Sequence, residues 1–173
     1  NIHVFGVVGT EPWGQKLIQE LYKLNVSCEG MITQEKHWAT PTYVKPYKEQ
    51  NELNRIDFGN FNKLDSYTLN SLLSSLEKEL PELEIVIINQ QIAVSLFIKE
   101  FIDKLLILIN KFSNTVFIVD SRHNSDEFPG AILKLNDFIA ERIVGNSILK
   151  GNSVPRGNAL KTAENLYKKF KKT

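Results

Sequence analysis

Two apolar runs in this chain end in side chains that could hold a charged or hydroxyl-bearing ligand. EIVIIN at 84–89 is followed by Gln90-Gln91, and TVFIV leads into Asp120-Ser121-Arg122. A short third run, AILKL at 131–135, carries Lys134 and opens into Asn136-Asp137. Side-chain amides both donate and accept, which suits sugar hydroxyls. Arg122 and Lys134 can neutralise phosphate oxygens, and Asp120 or Asp137 can hold a metal through water. Each residue also has a plain structural use. Amides brace loops, Asn136 is a good helix N-cap, and Asp137 belongs in a first helical turn.

The elements that must position these groups follow from periodicity. Residues 2–8 form a continuous apolar strand closed by Gly9, as expected of a strand covered on both faces. Thr10-Glu11-Pro12 then starts a helix with Leu17, Ile18, Leu21 and Leu24 at helical spacing. Helices are expected over about 65–80, 95–112, 136–145 and 156–171, alternating with strands at 84–89, 115–120 and 131–135. That alternation predicts an α/β fold with a mostly parallel sheet, whose ligand sites lie at the carboxyl ends of the strands. Residues 26–58 break the rhythm. VSCEGMIT, TYVKPYKEQ and ELNRIDF read as short antiparallel strands outside the main sheet, with Pro41 and Pro46 marking edges. The glycines of VVGTEPWG match neither dinucleotide nor P-loop spacing, so tight turning and close helix packing account for them.

Composition bounds the function. The 173 residues are 42% hydrophobic and 24% charged with a net charge of +1, which suits one globular domain and gives no reason to expect nucleic acid. The lysines at 168–172 end a helical pattern and read as a solvated tail. Cys28 is the single cysteine, which points to a reducing, cytoplasmic setting and a small core hydrophobe. No apolar run is long enough to span a bilayer. His3, His37 and His123 lack zinc-ligand spacing, and no serine sits in a nucleophile elbow. The abrupt start, Asn1 straight into a strand, reads as a fragment.

The order of these segments resembles the ribokinase-like (PfkB) carbohydrate kinases over nearly the whole chain. VFGVVGTEPWGQKLIQELYKLNV is similar to the family's early strand, Val-Gly-Asp-x-x-Gly turn and helix, with Thr10 where Asp is usual. HWATPTYVKPY and NRIDFG resemble the lid strands, and EIVIINQQ the strand whose end faces substrate. FIVDSRHNSDEFPGAILKLNDFIAERIVG resembles the stretch holding Asn-x-x-Glu, with Asn136 in place but Ile139 at the Glu position. Glu141, two residues on, is expected to face elsewhere, since each helical residue turns about 100°.

The resemblance implies a partial three-layer αβα domain over 1–173 with a β lid insertion at about 26–58. It implies a sugar substrate contacted by Gln90, Gln91, Thr42 and Arg55. It also implies ATP with Mg2+ near Asn136, Asp137, Lys134, Asp120 and Arg122, without direct metal ligation. The family's Gly-Gly segment and its Gly-Ala-Gly-Asp motif, which carries the catalytic base, occur nowhere in the chain. No catalytic residue is therefore assigned, and the isolated chain is expected to be inactive. The alternative is a non-catalytic module, a homodimer paired through lid strands by Trp38, Tyr43, Tyr47, Ile56 and Phe58.

Overall fold

The computed structural model of the chain describes residues 1–92, 96–146 and 154–170. They fall into two compact units, Asn1–Glu79 with Val94–Phe101, and Leu80–Ala93 with Ile102–Thr173.

The first unit opens with β1 (His3–Val8), α1 (Pro12–Lys23) and β2 (Ser27–Thr33). β1 and β2 pair in parallel, with Phe5 opposite Gly30 and Val8 opposite Thr33, as a helical crossover between them requires. Pro12 sits in the first turn of α1, where a missing N–H is harmless. α2 (Ser66–Glu79) presents Leu69, Leu72, Leu73 and Leu76 at three- and four-residue spacing, and these are buried, as are Val7, Val8, Val26 and Cys28. Between β2 and α2 lie two antiparallel ribbons, β3 (Thr42–Val44) with β6 (Ile56–Phe58) and β4 (Tyr47–Lys48) with β5 (Asn51–Glu52). Pro41 and Pro46 immediately precede β3 and β4, where no ladder N–H is lost.

The insertion is thus shorter than the pattern over 26–58 implied, because β2 belongs to the parallel pair and the ribbons start after Thr33. Cys28 and Gly30 are buried while Glu29 between them is exposed. Such alternation reports how a strand's faces are covered and says nothing of its direction.

The second unit contains β7 (Ile85–Gln90), β8 (Val116–Ser121) and β9 (Ile132–Leu133), in that order and all parallel. α3 (Lys99–Lys111) links β7 to β8, and α4 (Asp137–Ile143) and α5 (Arg156–Phe170) follow β9. Ile88, Leu105, Ile109, Phe117, Val119 and Phe128 are buried in this unit. β7 departs from the expected two-face burial, with Ile85 and Ile87 56% and 65% exposed. Among the described residues it is the edge strand of its sheet, and Ile85 and Ile87 share one of its faces. The expected last residue of the final helix, 171, lies outside the described residues. Among the described residues no helix is long and apolar enough to cross a membrane.

Candidate functional site

The polar groups of the second unit converge because β7, β8 and β9 are parallel and in register. Asn89 stands opposite Asp120 and Gln90 opposite Ser121, and Arg122 N–H donates to the Gln90 carbonyl, extending the ladder. Lys134 N–H likewise donates to the Val119 carbonyl, bringing its side chain to the same edge. Lys134 Nζ meets Asp120 Oδ2 at 2.6 Å, and Arg122 Nε donates to Gln91 Oε1 at 2.7 Å. Gln91 Nε2 in turn donates to Asn89 Oδ1 at 2.8 Å. Arg122 and Lys134 remain exposed, so each cation is oriented by one neighbour and keeps further donors for an anion.

Gln90 does not join them. It is 1% exposed, and its Oε1 accepts from Ser121 Oγ at 2.7 Å and from His123 N–H at 3.2 Å, while its Nε2 donates to the Ile92 carbonyl at 2.7 Å. The expected substrate contact is therefore corrected to an internal brace, because strand alternation turns Gln90 inward where Gln91 is left at the rim. Ser121, which the sequence placed among the polar residues ending its strand, and Ser125, which it did not single out, complete that brace. The buried Ser121 hydroxyl accepts from Asn124 N–H at 2.9 Å, and Ser125 Oγ donates to the Ser121 carbonyl. Only the same alternation, with Ser121 beside an outward Asp120, could have indicated this.

Asn136 caps α4, its Oδ1 accepting from Ile139 N–H at 2.8 Å, and Asp137 Oδ1 accepts from Phe138 N–H at 2.8 Å. Both are exposed. Ile139 is buried in the core. Glu141 is also buried, accepting from Thr162 Oγ1 at 2.6 Å and from Asn146 Nδ2. These hydrogen bonds, from Thr162 first and then Asn146, hold its carboxyl below the usual range. Glu141 thus ties α4 to α5 and is committed away from the strand edge. A cavity of about 430 Å³ lies beside Asn136 and Asp137, lined mainly by Leu133, Leu135, Ala163, Leu166 and Phe170. Asn136, Asp137, Thr162 and Tyr167 are the polar residues of its lining.

In the first unit the turn after β1 is closed by the chain's own groups. Gly9 N–H donates to Thr40 Oγ1 at 2.9 Å, and Thr40 N–H to Glu11 Oε1 at 2.7 Å. A β-carbon on Gly14 would lie 2.7 Å from both the Gly9 carbonyl oxygen and Thr40 Oγ1, so close packing fixes that glycine. Burial acts to raise the Glu11 carboxyl, but hydrogen bonds from Thr40 and from backbone N–H groups outweigh it and hold the carboxyl low. An anionic side chain beside the start of α1 disfavours a bound phosphate there.

The two expected lid contacts lie on opposite faces of the β3–β6 ribbon. Thr42 pairs with Phe58 and Val44 with Ile56, which places these four on one face. Tyr43 pairs with Asp57 on the other. Arg55 joins that second face, gripping Asp57 at 2.6 and 2.8 Å and lying 4.2 Å over the Tyr43 ring. The Thr42 hydroxyl donates to the Thr40 carbonyl at 2.9 Å. Trp38, expected on an exposed dimer surface, is buried.

Solved structures share this fold over nearly all of the chain. Ribokinase from Giardia lamblia matches with a TM-score of 0.65 over 96% of this chain and 49% of its own, at 15% identity. A PfkB family carbohydrate kinase from Listeria grayi matches with a TM-score of 0.59 over 98% of this chain and 53% of its own, at 11% identity. The fold is ribokinase-like. A candidate sugar kinase from Clostridium perfringens gives a TM-score of 0.63, 97% and 50% coverage, and 16% identity. The chain spans about half the length of these ribokinase-like structures. No protein-family model matches its sequence, and no curated protein does.

Proposed function

We propose that this chain carries the nucleotide-phosphate edge and the lid of an ATP-dependent kinase acting on a carbohydrate hydroxyl, in the cytoplasm. The observation that supports this most is the pair of exposed cations, Arg122 and Lys134, each oriented by a neighbour at adjacent strand ends of a ribokinase-like sheet. Phosphoryl transfer asks for positioning and charge neutralisation more than for covalent chemistry by the protein. Two cations at one edge fit the oxygens of a polyphosphate. Gln91 holds Arg122 in place, Asp120 holds Lys134, and the Asn136 amide N–H2 is the donor left over from capping.

Magnesium at such an edge takes one or two carboxylates together with the nucleotide's own phosphate oxygens. Among the described residues no group of three or more His, Cys, Asp or Glu side chains could hold a metal by itself, and Asp120 Oδ2 is paired with Lys134, so no step is assigned to a metal held by this chain. The 173 residues contain no Gly-Ala-Gly-Asp, and no base for a sugar hydroxyl is identified. The expected result is ATP binding without ATP turnover on any sugar. Calorimetry with ATP beside a coupled ADP-release assay tests both halves, and turnover above the buffer rate sinks the second.

A second reading, a homodimer through the lid, is favoured by one observation. Ile56 and Phe58 are 50% and 44% exposed on the same face of the β3–β6 ribbon. Light scattering at micromolar concentration is expected to give a dimer that Ile56→Lys converts to monomer. A monomer at every concentration contradicts it.

A further inference from the structure

The carboxylates that β8 and α4 bring to the second unit already have partners. Asp120, at the end of β8, accepts from Lys134 Nζ at 2.6 Å through Oδ2. Asp137 accepts the Phe138 N–H at 2.8 Å, at the start of its own helix. Glu141 is buried and holds Thr162 and Asn146. Ile139, where the resemblance leads one to expect Glu, is packed in the core. A magnesium ion on a nucleotide needs one or two carboxylates beside the phosphate oxygens. These residues do not fit a magnesium ion held by the chain.

What Asp120 holds instead is an ammonium. Lys134 is fixed at two points, by its backbone N–H on the Val119 carbonyl and by its side chain on Asp120. An ammonium is a compact point charge with three donors. Its side chain is 68% exposed, so donors not directed at Asp120 face solvent. Arg122, oriented by Gln91 Oε1 at 2.7 Å, supplies a second cation at the adjoining strand end. A cation braced by a carboxylate is what a metal site offers a phosphate, and here that cation belongs to the chain. A divalent ion on the same polyphosphate cancels charge that Arg122 and Lys134 would meet, and sets like charge against the ammonium.

We propose that this edge binds the polyphosphate of a nucleotide as the metal-free anion, with the Lys134 ammonium, held by Asp120, in the place of magnesium. This rests on the phosphate reading of the same edge and adds the form of nucleotide that the edge selects. Magnesium then opposes binding.

The test is calorimetry of the 173-residue chain with ATP, in EDTA and in excess magnesium chloride. Ionic strength is matched between the two, since salt alone screens such contacts. Saturable binding in EDTA that weakens about tenfold with magnesium is expected, the worth of one charge-assisted hydrogen bond. Lys134→Ala alters an exposed side chain and frees Asp120 for a metal. In that variant the effect is expected to change sign, with weak binding in EDTA that magnesium strengthens. A purely structural lysine would not produce that reversal. Equal or tighter binding of ATP by the unaltered chain in magnesium overturns the proposal, as does a Lys134→Ala variant that magnesium does not strengthen. ATP bound only with magnesium sinks the metal-free form and leaves the phosphate edge standing. ATP bound under neither condition sinks the phosphate edge as well.

Discussion

Adjacent glutamines in this chain do opposite work. Gln90 is enclosed by three hydrogen bonds, while Gln91 lies at the rim and steers Arg122. Gln90→Ala removes partners from the Ser121 hydroxyl, His123 N–H and Ile92 carbonyl together. It is expected to lower stability by about 2–3 kcal/mol, the cost of stranding buried polar groups. Gln91→Ala is expected to change stability by less than about 0.5 kcal/mol while weakening ATP. Urea denaturation of both variants checks the contrast, and equal losses would contradict it. Acid dependence follows from Glu11 and Glu141, whose carboxyls are held below the ordinary value of 4.5 in the folded chain. The unfolded chain therefore binds protons first, and stability falls as pH drops below about 4.5 through the lowered folded values. Urea midpoints measured from pH 6 downward are expected to decline, and Glu11→Gln is expected to flatten the decline. A midpoint that rises on acidification contradicts this sign.

At helix α4 one side chain, Asn136, is a cap by its oxygen and a proposed phosphate donor by its nitrogen. Asn136 Oδ1 is occupied by the cap, so only its amide N–H2 is left for a phosphate. Asn136→Asp keeps the cap, since Asp and Asn serve equally well there, and replaces the donor by a negative charge. Unchanged melting with at least tenfold weaker ATP binding is expected; a drop in melting temperature with no effect on ATP would reverse the assignment. The cap itself was legible in the sequence, because Asn-Asp before an apolar helix is a local signal. The parallel strands were legible for the same reason, as apolar runs bounded by turn residues. The direction of β2 was not, because its alternating pattern is shared by antiparallel strands and the decision lies in its pairing with β1. Nor could spacing show that the β3–β6 register sets Thr42 and Arg55 on opposite faces.

Across the chain, the ribokinase-like order of elements was readable from one end to the other, and the two departures at the candidate site now have physical forms. The position where the family has Glu is Ile139, packed in the core. The nearest carboxylate, Glu141, is bound to Thr162 and Asn146. Neither can serve the strand edge as it stands, so the charge at that edge is set by Arg122, Lys134 and Asp120. The division into two compact units was not legible, because it depends on which strands pair and not on local pattern. The central proposal is that the edge of the second unit binds nucleotide phosphates. Titration calorimetry of the 173-residue chain with ATP, repeated for Arg122→Ala and Lys134→Ala, tests this directly. Saturable binding that weakens about tenfold or more in each variant, and weakens with added salt, is the expected result. Absence of binding, or variants that bind ATP as tightly as the unaltered chain, would contradict it.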